Sequence, residues 1–121
     1  MTSQELQVIN KLTIAIQNSN LIEFQYKERI RIVEPYLIGE LNDKHKNFLE
    51  EGRYALRAWF VSGYSSSPTD INQGDRWRIY HINDITELTI LEEKNEFIRP
   101  LYDTNDKAFK RINYRVEIKY D

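Results

Sequence analysis

Gln17-Asn18-Ser19-Asn20-Leu21-Ile22-Glu23-Phe24-Gln25-Tyr26 is the stretch that decides the fold, because the spacing of apolar residues changes inside it. Before it, Leu6, Ile9, Leu12 and Ile16, with Val8 and Ala15 beside them, recur at helical spacing. Thr2 stands three residues ahead of Glu5, the pattern of a capping box. The spacing predicts one amphipathic helix from about residue 3 to about residue 18, its face of Leu6, Ile9, Leu12 and Ile16 buried on a sheet. The polar run from Gln17 to Asn20 ends it. From Leu21 the period is two: Ile22, Phe24 and Tyr26 alternate with Glu23 and Gln25, and after a Lys27-Glu28 turn Arg29 and Arg31 alternate with Ile30 and Ile32. That is a two-stranded hairpin.

Pro35 cannot donate to a ladder, so the second strand should bend there before Tyr36-Leu37-Ile38 resumes it. Glu40 to Gly52 reads as a hairpin loop or short insertion whose Phe48-Leu49 docks on the core. A third strand is expected from Tyr54 to Ser62, a long loop from Gly63 to Gly74, and a fourth strand from Arg76 to Ile82. Asn83-Asp84 turns the chain into Ile85 to Leu91, and a last strand is expected from Tyr114 to Tyr120. One helix and about six strands make a small α+β domain, with the helix packed on a strongly bent antiparallel barrel that closes on itself.

The 121 residues suffice for one core, so a single domain spanning 1–121 is expected. The absence of cysteine excludes disulfides, thiolate nucleophiles and cysteine-bound zinc. His45 and His81 are the two histidines; His45 has no third ligand at recognisable spacing, so no metal site is expected. The net charge of -2 argues against non-specific nucleic-acid binding and leaves room only for a local basic cluster. No basic start with an apolar run follows Met1, and no window is apolar enough to span a bilayer, so a cytoplasmic location off the membrane is expected. Adjacent acids such as Glu50-Glu51 and Glu92-Glu93 do not converge, and no phosphate loop, catalytic triad or metalloprotease motif occurs. The reading is a protein that is not an enzyme and needs no cofactor.

The chemistry lies in Tyr54-Ala55-Leu56-Arg57-Ala58-Trp59-Phe60 and Arg76-Trp77-Arg78-Ile79-Tyr80, where arginines alternate with apolar and aromatic residues. If Ile30, Ile32, Leu56, Ala58, Phe60, Trp77 and Ile79 face the core, then Arg31, Arg57, Trp59, Arg78 and Tyr80 share the opposite face. Guanidinium groups offer a planar fork to phosphate, and aromatic rings offer stacking surfaces. Such a face suits a nucleotide or a few unpaired bases, with Arg57 and Arg78 in the pocket and Arg31 at its edge. The competing reading pairs these arginines with Glu23, Glu34, Glu87 or Glu117 across strands.

Several segments together resemble the WYL domain, an Sm-like (SH3-type) β-barrel of bacterial transcription regulators. The resemblance runs from Leu12 to about Ile112 and rests on Phe24-Gln25-Tyr26, Arg31-Ile32-Val33-Glu34-Pro35, Tyr54-Ala55-Leu56 with Ala58 and Trp59, and Phe97-Ile98-Arg99-Pro100-Leu101-Tyr102 with Asp106-Lys107. In Arg78-Ile79-Tyr80-His81-Ile82-Asn83-Asp84-Ile85 the family's second and third arginines are replaced by His81 and Asp84. The chain is most similar to the short, free-standing branch of that family. The resemblance implies a sensor or regulatory module for nucleotides or single-stranded nucleic acid, with His81 a further candidate for the site. Its output would be an effector protein or a second copy of the chain. The alternative, from another class, is a protein-interaction subunit that uses its sheet edges and the Gly63 to Gly74 loop and takes no small ligand.

Overall fold

The computed structural model describes residues 1–42, 53–63 and 76–118. His45, Phe48-Leu49 and most of the Gly63 to Gly74 loop lie outside the described residues. Helix α1 (Ser3–Gln17) opens on the expected capping box: Thr2 Oγ1 accepts the Glu5 N–H at 3.1 Å and the Glu5 carboxylate accepts the Thr2 N–H at 3.0 Å. It is capped at Asn18, and Ser19, held in the left-handed region at φ 56°, turns the chain into the sheet. Ile9, Leu12, Ala15 and Ile16 are buried, and Leu6 is 49% exposed, against expectation. Six residues before Leu12, Leu6 has rotated about 120° off the buried stripe, because a helical residue advances by 1/3.6 of a turn. The capping Glu5 occupies the buried position in its place.

Six strands follow: β1 (Asn20–Tyr26), β2 (Arg29–Leu41), β3 (Tyr54–Gly63), β4 (Trp77–His81), β5 (Ile85–Lys94) and β6 (Phe109–Arg115). Lys27 and Glu28 both adopt positive φ, 52° and 66°, which is the twist a two-residue hairpin needs, here without glycine. The sheet runs β4-β3-β2-β1-β5, every described pairing being antiparallel, and β6 also pairs with β2. Strand β2 lies along β3 on one side and serves two partners on the other: β1 as far as Val33, then β6 from Leu37. Pro35 sits between those two partners, so its missing N–H breaks no ladder there, and the register against β3 shifts between Pro35 and Leu37. At Gly39 an added Cβ would collide with the Arg111 carbonyl and the Phe109 ring, so β6 docks closely only because glycine stands there.

Closure is the expectation that the sheet does not meet. Its end strands β4 and β5 do not pair with each other; a 3-10 turn (Ile82–Asp84) carries the chain between them, and α1 packs against that turn. The last strand is also shifted. It begins at Phe109 and ends at Arg115, where Tyr114 to Tyr120 was expected, because Phe109 pairs with Leu41 and Arg115 with Leu37.

Both faces of the sheet are buried. One carries Ile22, Phe24, Val33, Ile38, Leu56, Tyr80, Ile82 and Ile85 against α1. The other carries Tyr36, Leu37, Leu41, Ala55, Trp59 and Phe109, with Trp77 and Tyr102 packed on them. Burial on both sides explains why β2 is continuously buried from Val33 to Leu41 and shows no period of two there.

Candidate functional site

Cross-strand register separates the residues that alternation had grouped. In the β3–β4 pair Arg57 stands opposite Ile79, Trp59 opposite Trp77, Leu56 opposite Tyr80 and Ala58 opposite Arg78. Paired residues of an antiparallel ladder share a face. Arg57 and Trp59 therefore lie on the face of Trp77 and Ile79, whereas Arg78 and Tyr80 lie on the face of Leu56 and α1. His81, opposite Ala55, falls on the Arg57 side. Arg31 stands opposite Phe24 and so belongs with Arg78 and Tyr80. Trp77 and Ile79, expected in the core beneath Leu56, belong to the other face, and Ile30 is 51% exposed.

Arg31, Arg78 and Tyr80 come together with three residues the sequence reading left out: Tyr26, Phe60 and Arg76. The Arg31 guanidinium, 5% exposed, lies 5.3 Å from the Tyr26 ring centre and 6.0 Å from that of Tyr80, and its Nη2 donates to the Tyr26 carbonyl at 3.1 Å. Arg76 and Arg78, both half-buried, stand 6.0 and 5.9 Å from the Phe60 ring centre. Arg76 Nη1 donates to the Phe60 carbonyl at 3.3 Å, and Arg78 Nη1 to the Trp77 carbonyl at 3.0 Å. Phe24, Tyr26 and Tyr80 meet edge to face, with Phe24–Tyr80 and Tyr26–Tyr80 centroids each 5.1 Å apart. The Tyr26 hydroxyl accepts the His81 N–H at 3.0 Å, which ties β4 back to the hairpin. Burial raises the Tyr80 phenol above its ordinary value, and the positive charges of Arg31 and Arg78 oppose that rise. Tyr26, Phe60, Tyr80 and Arg31 are themselves buried and back the cluster, so the half-buried Arg76 and Arg78 are the guanidinium groups here that can receive an anionic group. Period two through the expected strand Arg76 to Ile82 already placed Arg76 on the side of Arg78, so that signal was in the sequence.

On the other face Arg57 is engaged by Asp106, its Nε donating to Oδ2 at 2.7 Å. Trp59 is 3% exposed and packs edge to face on Trp77. It is a core residue there, not an open stacking surface. Over this face runs the segment 95–108. Arg99 makes a two-pronged bond to the buried Glu34, 2.7 Å at each oxygen, and stands 5.3 Å from the Trp59 ring centre. The buried Tyr36 hydroxyl accepts from Asn95 Nδ2 at 2.8 Å and from the Arg99 N–H at 3.0 Å. Burial raises the Tyr36 phenol, and the bonds from Arg99 and Asn95 oppose the rise. The competing reading named the sheet-face arginines as partners of Glu34; its partner is Arg99 instead, and Arg57 takes Asp106.

Among the described residues no group of three or more His, Asp or Glu side chains is placed to hold a metal, and no helix is long and apolar enough to cross a membrane. Neither family models nor curated proteins nor solved structures return a match to this chain.

Proposed function

We propose that the protein is a regulatory module of the WYL type, its open sheet a variant of the Sm-like architecture, that binds a nucleotide or a short single-stranded nucleic acid and performs no reaction of its own. The observation that carries this reading is the gathering of Arg31, Arg76 and Arg78 on one sheet face against Tyr26, Phe60 and Tyr80. Support for the Sm-like architecture comes from the element order, one helix then an antiparallel sheet, and from the long β2 shared by three partners. The anion-binding set is Arg76 and Arg78, with Arg31 buried beside them and Arg57 and Trp59 left to the opposite face. Occupancy would be passed on to an effector protein or a second copy of the chain.

Binding of a nucleotide panel and short oligonucleotides at two salt concentrations tests it. A charge-assisted hydrogen bond contributes about 1.5–3 kcal/mol, so Arg76→Ala or Arg78→Ala should each weaken binding roughly tenfold or more. Affinity should fall steeply with salt. If the wild type binds none of these ligands, or the double variant binds one as tightly, the reading fails.

One observation favours the protein-interaction alternative: Phe97, Ile98 and Leu101 are 61%, 41% and 78% exposed within a single short segment. A partner held there would associate with little salt dependence and would be indifferent to Arg76 and Arg78.

A further inference from the structure

The cavity on the second face has the opposite electrical character. It measures about 220 Å³ and is lined by Arg57, Trp77, Leu101, Tyr102, Asp103 and Asp106. Drug-sized ligands occupy sites of roughly 300–1,000 Å³, so this one takes a headgroup and not a nucleotide. The arginine expected to attract phosphate here is neutralised: Asp106 accepts from Arg57 Nε at 2.7 Å and also from the Ala108 N–H at 3.0 Å. Asp103 accepts only the Asn105 N–H, at 2.8 Å, and forms no ion pair among the described residues. With one guanidinium against two carboxylates, the lining carries a net negative charge.

The two rings in that lining are fixed in place. Trp77 Nε1 donates to the Pro100 carbonyl at 2.8 Å, and the Tyr102 hydroxyl donates to the Val116 carbonyl at 2.6 Å. Their planes lie 25° apart with centroids separated by 5.9 Å, and Tyr36 packs on both, 4.9 Å from Trp77 and 4.8 Å from Tyr102. Rings pinned at their polar ends bind without first losing rotamer freedom. An exposed carboxylate alone attracts weakly in water. Aromatic faces beside it add cation–π attraction, which favours cations that are easily desolvated.

We propose that this cavity is a binding site for a small organic cation, a quaternary ammonium or alkylated amine headgroup, held between the Trp77–Tyr102 rings and Asp103. The headgroup belongs either to a free metabolite or to a modified lysine side chain, and the chemistry of recognition is the same. The site is independent of the arginine face, and its failure would leave the nucleotide reading untouched.

The test is titration of the full chain with tetramethylammonium and, separately, with N-acetyl-trimethyllysine methyl ester, following the two tryptophan indole N–H resonances. Saturable movement of the Trp77 signal is expected, with little movement at buried Trp59. Asp103→Asn, an exposed change that leaves the fold intact, should weaken binding roughly threefold to tenfold, and Tyr102→Leu more. Tighter binding of the lysine derivative would assign the site to a protein side chain, and tighter binding of tetramethylammonium to a free metabolite. No saturable shift with either cation, equal response to neutral tert-butanol, or unchanged affinity in Asp103→Asn would overturn the proposal.

Discussion

One face of the sheet is covered by α1, whose Ile9, Leu12, Ala15 and Ile16 press on Ile22, Phe24 and Ile85; the other is covered by segment 95–108, which has no regular structure and is held by named polar bonds. Apolar burial is non-directional and tolerates small shifts of the cover. A bidentate ion pair and a hydroxyl that accepts two bonds do not, because each unmade bond leaves a buried polar group without its partner. The two covers should therefore fail differently: the helix by degrees, the segment bond by bond.

The largest effect is expected on the segment side. Arg99→Met leaves the Glu34 carboxylate, 3% exposed, without its cation. Breaking a buried pair in this way costs about 3–5 kcal/mol. A stability loss of less than about 1 kcal/mol by urea unfolding would show that the pair does not anchor the cover. Leu12→Ala on the helix side should cost about 2–5 kcal/mol, because Leu12 is fully buried and its removal leaves a cavity. A value within error of wild type would break the account of the helical face.

Tyr36→Phe should cost about 1–3 kcal/mol by removing the acceptor for Asn95 and the Arg99 N–H. Hydrogen exchange should quicken at Arg99 while the amides of β1 stay protected, and uniform quickening across both would erase the distinction. The phenols of Tyr36, Tyr80 and Tyr102 are all raised, chiefly by burial. The folded chain therefore holds these protons more tightly than the unfolded chain does. Their contribution is fully present below about pH 10 and is lost as the pH climbs through the folded values. Phenolate absorbance should rise late for these three tyrosines, together with unfolding; full ionisation of a folded chain near pH 10 would contradict it. The smallest effect sharpens the helix boundary: Leu6→Ala, at a 49% exposed position, should stay within about 0.5 kcal/mol of wild type.

The sequence made the helix side readable because each signal there is local. Thr2 and Glu5 lie within one turn, Leu12 and Ile16 within another, and Ile22, Phe24 and Tyr26 alternate without interruption. The second face depends on distant facts. Alternation says which side of its own strand a residue takes, but not which side of the next strand it joins. That is set by the register across residues 64–75, and it aligns odd-numbered positions of β3 with odd-numbered positions of β4. So Arg57 and Trp59 were grouped with Arg78 and Tyr80, and half of the expected site fell on the wrong face. Segment 95–108 has no period at all; its anchors, Tyr36 to Arg99 and Arg57 to Asp106, join positions about 50 or more residues apart. The shift of β6 to Phe109–Arg115 has the same origin, since Leu41 and Gly39 choose its register from the far end of β2.

Glu87 has a consequence for how the molecule behaves among its own kind. It sits in β5 at φ 51°, within a stretch where the pairing with β1 slips by one residue between Glu23 and Gln25. The opposite edge of β5 meets no strand among the described residues. A flat outer strand of that length invites stacking of chain on chain into insoluble sheets. The extra residue kinks and twists this one, and Glu92, Glu93 and Lys94 add charge at its far end. Replacing such an irregularity with an even run of β-branched residues would straighten the strand and remove a guard against precipitation at high concentration.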